Sequence, residues 1–329
     1  MSKTLDSHDH GPAPHLQCAR CERTTETFGI RGEQLCAECV KKYVHTKVVK
    51  RLEANRIRGG YNDASNAVLI PISLGVSSLS LVHILSTQLE ERSNNSRHPG
   101  FSLHLLFVDS SSVLNQSYPD SNLAAVKELF SSHAFSVISI QECFDYDIDL
   151  MGIENIEVGA CSKEGDVDHL QRLKQVFESL PDVSSRTDVD TKIRHRLIEA
   201  FAKRTGIENT LYGDTTTRLA ERALAETAKG RGSMVPQHIA DGKSPTGTVQ
   251  IFPLRDLLRK EVDIYAKIVG IQVHALLDGG SASTSAPSLK GQSIDLLMQQ
   301  YIANVEENYP SIVANVVRTS GKLKCQYNS

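Results

Sequence analysis

The chain has 329 residues with a formal charge of −3, 40% hydrophobic and 23% charged side chains, an unremarkable balance for a soluble protein. That length holds one large α/β domain plus a smaller appendage, with a substantial buried core. No apolar run reaches the length of a membrane span and the polar start has no signal-peptide core, so a cytosolic or nuclear setting is expected. In that setting the seven cysteines are expected to be thiols or metal ligands rather than disulfides.

Residues 1–15, short, polar and carrying His8, His10 and His15, are expected to be disordered. Residues 16–60 then read as a small metal module with a basic helix. Cys18-Ala19-Arg20-Cys21 is followed after fourteen residues by Cys36-Ala37-Glu38-Cys39, the spacing of a four-thiolate site. Each Cys-x-x-Cys turn presents two thiolates to one ion, and Gly29 and Gly32 lie where a hairpin could return the chain. All four positions would be taken by sulfur, which points to structural zinc. A rubredoxin-like iron centre would use similar ligands, and four unconnected thiols are the bland alternative. From Lys41 to Arg58 there are seven Lys/Arg and one acid, Glu53, whereas Glu142–Asp168 carries nine acids against Lys163 alone. Lys47, Lys50 and Arg51 are candidates for RNA phosphates, against the commoner reading of a solvated helix face.

Residues 61–275 alternate strand and helix. Ala67–Ile72 is an apolar strand running into Ser73-Leu74-Gly75-Val76-Ser77-Ser78, and Leu79, Leu81, Val82 and Leu85 then recur at helical spacing. Such a turn aims backbone N–H groups and a helix dipole at one point, where an anion is welcome; the bland reading is an ordinary strand–helix connection. Strands are predicted at Phe101–Asp109, Phe135–Ile140 and Thr210–Asp214, and helices at Asn122–Ser132, Val167–Ser179, Lys192–Lys203 and Thr217–Ala228. The pattern is that of a doubly wound, mostly parallel sheet. Ligands are expected at three strand ends: Ser73–Ser78, Asp109–Ser112 and Gly213–Thr215. Ser93–Gly100 and Asp241–Thr248 read as surface loops. Residues 276–329 read as a mobile loop, Gly279–Ser288, and a C-terminal helical segment.

Asp214 faces the predicted site and could bind metal or ribose, but as a helix cap it has the simpler reading, a service Thr215 and Thr216 also offer. Lys229 and Arg231, with Arg218, form a second basic group beside flexible glycines, suited to a phosphate backbone or to stabilising a helix end. Pro253-Leu254-Arg255-Asp256 reads as the start of an amphipathic helix packing through Leu257, Leu258, Val262 and Tyr265.

The double Cys-x-x-Cys module, the basic helix, the Ser-x-Gly-x-x-Ser loop, Leu211-Tyr212-Gly213-Asp214-Thr215-Thr216-Thr217-Arg218-Leu219-Ala220, Lys229-Gly230-Arg231-Gly232, and the run from Phe252 to Val262 occur in a specific order. In that order, over roughly Cys18 to Gly270, the chain resembles the cytoplasmic tRNA 2-thiolation protein 2 family. This is a branch of the ATP-pyrophosphatase-loop superfamily. The resemblance implies an adenine nucleotide alpha hydrolase-like fold and a heterodimer with a catalytic paralogue. It also implies 2-thiolation of the wobble uridine, U34, in tRNAs for Lys, Glu and Gln, with sulfur from a thiocarboxylated ubiquitin-related modifier.

Two departures separate the chain from an active member. An active loop reads Ser-Gly-Gly-x-Asp-Ser; here Leu74 replaces a glycine and Ser77 replaces the acid. A glycine would let the backbone approach a pyrophosphate with no side chain in the way, whereas leucine is bulky and unfavourable at positive φ, and loss of the carboxylate removes a candidate Mg²⁺ ligand. Ser73, Gly75 and Ser78, with Asp214, are left as a vestigial nucleotide site, and ATP use is doubtful. Thiolating relatives carry a cysteine pair before the helix at Lys192–Lys203, where this chain reads Arg186-Thr187-Asp188-Val189-Asp190-Thr191-Lys192. Cys143 and Cys161 lie in the acidic stretch, which would raise a thiol pKa, and Cys325 is alone where relatives are expected to carry a second cysteine cluster. The expected function is therefore a noncatalytic, tRNA-binding subunit. The rivals are a self-sufficient ATP-dependent tRNA-modifying enzyme and a zinc-bearing scaffold without RNA contact.

Overall fold

The computed structural model describes residues 15–55, 57, 67–95, 100–114, 120–146, 148, 169–244, 246–271 and 292–323. Most of the expected N-terminal disorder, most of the acidic stretch, the loop at Gly279–Ser288, Cys161 and Cys325 lie outside them. Strands β1 (His15–Gln17), β2 (Thr24–Ile30) and β3 (Glu33–Cys36) form an antiparallel sheet in that order. His15, placed in the disordered stretch by its composition, opens β1 because it pairs with Glu26. Arg31 and Gly32, at φ 50° and 84°, make the two-residue turn between β2 and β3, whose left-handed backbone matches the twist of the strands. Helix α1 (Ala37–Ala54) follows at once and buries Val40, Val44, Val48 and Leu52, one face at helical spacing.

The main sheet holds six strands in the order β6-β5-β4-β7-β9-β8. They are β4 (Ala67–Ile72), β5 (Ser102–Asp109), β6 (Ala134–Ser139), β7 (Asn209–Leu211), β8 (Gly242–Lys243) and β9 (Val249–Ile251). Every pairing is parallel except β8 with β9. The helices are α2 (Val76–Asn94), α3 (Ser111–Leu114), α4 (Asp120–Leu129), α5 (His169–Ser179), α6 (Val183–Thr205), α7 (Thr216–Ala228), α8 (Val235–Ile239), α9 (Arg259–Val269), α10 (Ile294–Asn308) and α11 (Pro310–Ser320). Alternation along β4 sends Val68, Ile70 and Ile72 into a core shared with α1, α2 and α9, and Leu69 into a second core with α5 and α6. Both faces of the sheet are thus covered at its centre, where β4 and β5 are mostly apolar and buried. A third cluster joins α7 to α10 and α11 through Leu219, Ala223, Ile302, Val313 and Val317.

The N-terminal sheet and α1 are built into this body. Leu35, Val40 and Val44 share one core with Leu81, Leu85 and Tyr265. Arg31 Nε lies 2.7 Å from the buried Glu261 carboxylate, and Arg51 lies 2.6 Å from Asp241. Tyr265 Oη is hydrogen-bonded to both His45, at 3.0 Å, and His83, at 2.9 Å.

Four boundaries differ from expectation. Strand β7 (Asn209–Leu211) ends three residues short of Asp214, leaving Gly213 and Asp214 in the connection to α7. Helix α6 begins at Val183, nine residues before Lys192, because Asp182 caps it by accepting from Ser185 N at 2.7 Å. Asp241–Thr248, read as a loop, contains β8, which satisfies the open edge of β9. Helix α9 starts at Arg259 rather than Pro253. Leu254 and Leu257 are fully buried in a turn, and Glu261 accepts from Leu258 N at 2.8 Å, fixing the helix start there.

Candidate functional site

The four N-terminal cysteines converge. Cys18 follows β1 and Cys21 follows in the turn before β2, while Cys36 ends β3 and Cys39 sits in the first turn of α1. Their Sγ atoms all lie within 4.8 Å of one another, and Cys21 and Cys36 are 3.6 Å apart. That is too long for a disulfide and close to the edge, about 3.8 Å, of a tetrahedron with metal–sulfur bonds of about 2.3 Å. The Cys36 N–H donates to Cys18 Sγ at 3.3 Å and is the main reason the Cys18 thiol falls to about 6. Cys39 is pushed up to about 12 by desolvation and by the neighbouring sulfurs. A cation among them would relieve that opposition. The donor set fits a metal ion, and all four positions expected from sequence belong to the site.

At the end of β4 the Ser73–Ser78 loop leads directly into α2. Leu74 stands at φ 58°, the left-handed region a glycine would enter freely. Its side chain is 0% exposed, packed with Ile72 and Leu79, and does not line the cleft beyond the loop. The expected obstruction of an anion by this side chain is therefore corrected: leucine turns into the core. Its cost is backbone strain of roughly 1–2 kcal/mol, offset by burial worth about 2 kcal/mol. Ser73, Gly75 and Ser78 do come together, but they bind one another. Ser78 Oγ donates to Gly75 O at 3.0 Å, and Gly75 N and Ser73 N reach Ser73 Oγ and Ser78 Oγ at 3.4 Å. Ser77, in the cleft wall, has only a hydroxyl where an acid would hold Mg²⁺.

Gly213 meets this loop directly: a Cβ there would lie 2.8 Å from Ser78 Cα. Asp214 beside it lines the cleft and pairs with Arg222 at 3.0 Å. It is not the helix cap its position suggested. Thr215 is, accepting from Arg218 N at 3.3 Å. At the remaining strand end, Asp109 Oδ1 accepts from Ser111 N at 2.8 Å and starts α3, so Ser112 rather than Asp109 reaches the cleft.

The cleft has a volume of about 1950 Å³, and cations outnumber acids among its lining side chains. Much of its wall is α6, whose Lys192, His195, Arg196 and Lys203 were not singled out from sequence. The signal was the spacing of four between Lys192 and Arg196. Lys229 and Arg231 also line it but spend their charge internally. Lys229 is 8% exposed, with Nζ 2.6 Å from both Asp188 and Asp295, and Arg231 bridges Asp188 and Glu226 at 2.6 and 2.7 Å. Burial opposes ionisation of Asp188, but the hydrogen bonds from Arg231 and Lys229 prevail and its pKa is lowered. On α1, Lys50 is exposed, Lys47 lies over the Tyr43 ring at 5.8 Å, and Arg51 is tied to Asp241. None of these three lines the cleft.

A family model described as cytoplasmic tRNA 2-thiolation protein 2 matches residues 293–329. The protein of that name from Phaeosphaeria nodorum is 38% identical over 315 residues, covering 93% of this chain and 80% of the relative. The chain belongs to the cytoplasmic tRNA 2-thiolation protein 2 family. A further member, from Neosartorya fischeri, is 35% identical, with 93% of this chain and 84% of the relative covered. Among solved structures, the U34-tRNA thiolase NcsA from Methanococcus maripaludis with its 4Fe–4S cluster is similar, with TM-score 0.62 at 14% identity over 95% of this chain and 88% of that one. That similarity places this family member in the adenine nucleotide alpha hydrolase-like fold expected from its sequence. Among the described residues, no helix is long and apolar enough to cross a membrane.

Proposed function

We propose that the chain is the noncatalytic subunit of a cytoplasmic tRNA thiolase, required for 2-thiolation of U34 in tRNAs for Lys, Glu and Gln. One observation carries the reading. The cleft that would house the chemistry keeps its β–α geometry, yet its loop closes on itself, lacks the acid at Ser77, and has no cysteine among the described lining residues. The intact four-thiolate cluster, by contrast, fits structural zinc and holds the start of α1. In this reading ATP activation and sulfur transfer from a thiocarboxylated ubiquitin-related modifier belong to a catalytic paralogue. This chain contributes tRNA contacts and the docking of that partner. Lys47 and Lys50 are the first candidates for RNA phosphates, followed by Arg51, whose charge is shared with Asp241. Lys229 and Arg231 serve only where an RNA phosphate displaces Asp188 and Asp295.

The test is reconstitution with the catalytic paralogue, reading wobble 2-thiouridine by mass spectrometry. Product forms only when both chains are present; full product without this chain overturns the reading. A self-sufficient ATP-dependent enzyme is the second reading, favoured by the meeting of Gly75, Ser78 and Asp214 around one cleft. It requires ATP affinity that falls in Gly75→Leu and Asp214→Ala.

A further inference from the structure

A column of rings runs from the core to the cleft at the C-terminal ends of β7 and β9, on the opposite side of β4 from β5. Phe252, 1% exposed, forms its base. Tyr212 stacks on Phe252 at 5.6 Å between centroids, and His195 of α6 lies on Tyr212 at 5.6 Å with only 3° between planes. The column therefore ends in an imidazole whose side chain is 37% exposed and lines the cleft. His238 of α8, 35% exposed, stands 6.5 Å away and inclined by 48°, closing one side of a corner.

The charges around this corner suit an anionic strand. Of the nearby carboxylates, Asp214 pairs with Arg222 and Glu226 with Arg231, whereas Glu199 accepts from Ser244 Oγ and lies beneath the corner, 3.9 Å from His195; Glu226 is 3.7 Å from His238. Lys192, Lys203 and Lys243 line the same cleft. Desolvation lowers the pKa of both histidines, His238 to about 4, so the corner presents two neutral rings near pH 7. Flat aromatic faces beside a cationic rim are the physical requirements for holding an unstacked base.

We propose that the His195–His238 corner is a stacking site for one unpaired nucleobase of a bound RNA strand. His195 supplies the face, His238 the side wall, and the lining lysines hold the flanking phosphates. The proposal rests on the reading that this chain contacts tRNA.

The test compares full-length wild type, His195→Leu and His195→Phe for binding to a stem-loop RNA with an unpaired loop and to a blunt RNA duplex, with thermal melting to verify folding. Loss of the ring face in His195→Leu weakens stem-loop binding by about 10-fold, and His195→Phe stays within about twofold of wild type. Duplex affinity is unchanged in both. Equal stem-loop affinity in wild type and a folded His195→Leu overturns the stacking site alone, leaving the subunit reading intact. So does an equal loss for stem-loop and duplex. If a mononucleotide binds in a His195-dependent way while stem-loop binding ignores His195, the site takes free nucleotide and the RNA assignment fails. Absence of any RNA binding by wild type overturns both this inference and the tRNA-contact reading beneath it.

Discussion

The N-terminal cysteine cluster and the loop at Ser73–Ser78 use their polar side chains in opposite ways. The cluster brings four sulfurs within 4.8 Å of one another. In the loop the side chains are committed to the protein itself: Leu74 to the core, Ser73 and Ser78 to internal hydrogen bonds. The difference follows from what each does for the fold. A metal ion on the four cysteines would tie the ends of β1 and β3 to the start of α1. A β–α turn stays in place because the strand and helix on either side need it, whether or not phosphate binds. Backbone geometry is therefore weak evidence for activity, and side-chain chemistry is the better witness.

The contrast can be broken or sharpened by mutation. The largest effect is expected at the cluster: Cys36→Ser abolishes metal binding and, through the shared core, lowers the melting temperature of the whole body, read by metal analysis and thermal melting. Stoichiometric metal with an unchanged melt in that variant would count against a structural centre. At the loop, Gly213→Ala forces a Cβ against Ser78 Cα at 2.8 Å and should destabilise by about 1–3 kcal/mol in denaturant titration. Leu74→Gly relieves strain but deletes a fully buried side chain, with loss of roughly 2–5 kcal/mol against a gain of roughly 1–2 kcal/mol. Net destabilisation without any gain in ATP turnover is expected; net stabilisation would mean the leucine is not a core residue.

Smaller effects come from the surfaces that join and flank the two sites. His45 and His83 have pKa values lowered below 6.5 by burial against Tyr265. Their contribution to stability is complete above about pH 6.5 and is lost as the pH falls toward the native values. The melting temperature should therefore drop between about pH 7 and pH 5, less steeply in a His45→Gln, His83→Gln double variant. Neutralising Lys47 and Lys50 should weaken tRNA binding and reduce the salt slope by about 1 per lost phosphate contact. An unchanged slope would move the RNA footprint elsewhere.

Much of this was legible in the sequence where one residue type has one job. Cys-x-x-Cys pairs fix their own geometry, and apolar strands between helical repeats announce a covered parallel sheet, so both the cluster and β4–β5–β6 lay where expected. Reading failed where a side chain had two possible directions. Leu74 was expected to obstruct an anion because sequence does not reveal which way a left-handed residue points. Lys229 looked available because its partners Asp188 and Asp295 are 41 and 66 residues away, and Arg231 because Asp188, which it shares, is 43 residues away. The His195–Tyr212–Phe252 column went unseen for the same reason, being assembled from α6, β7 and β9 by the fold alone. Asp214 lost the capping role to Thr215 because Arg222, two turns into α7, holds its carboxylate.

Whether the Ser73–Ser78 loop carries nucleotide chemistry is decided by pyrophosphate release from the purified chain supplied with ATP, Mg²⁺ and tRNA. No release above background is expected until the catalytic paralogue is added. Robust ATP-dependent release by this chain alone would contradict that expectation.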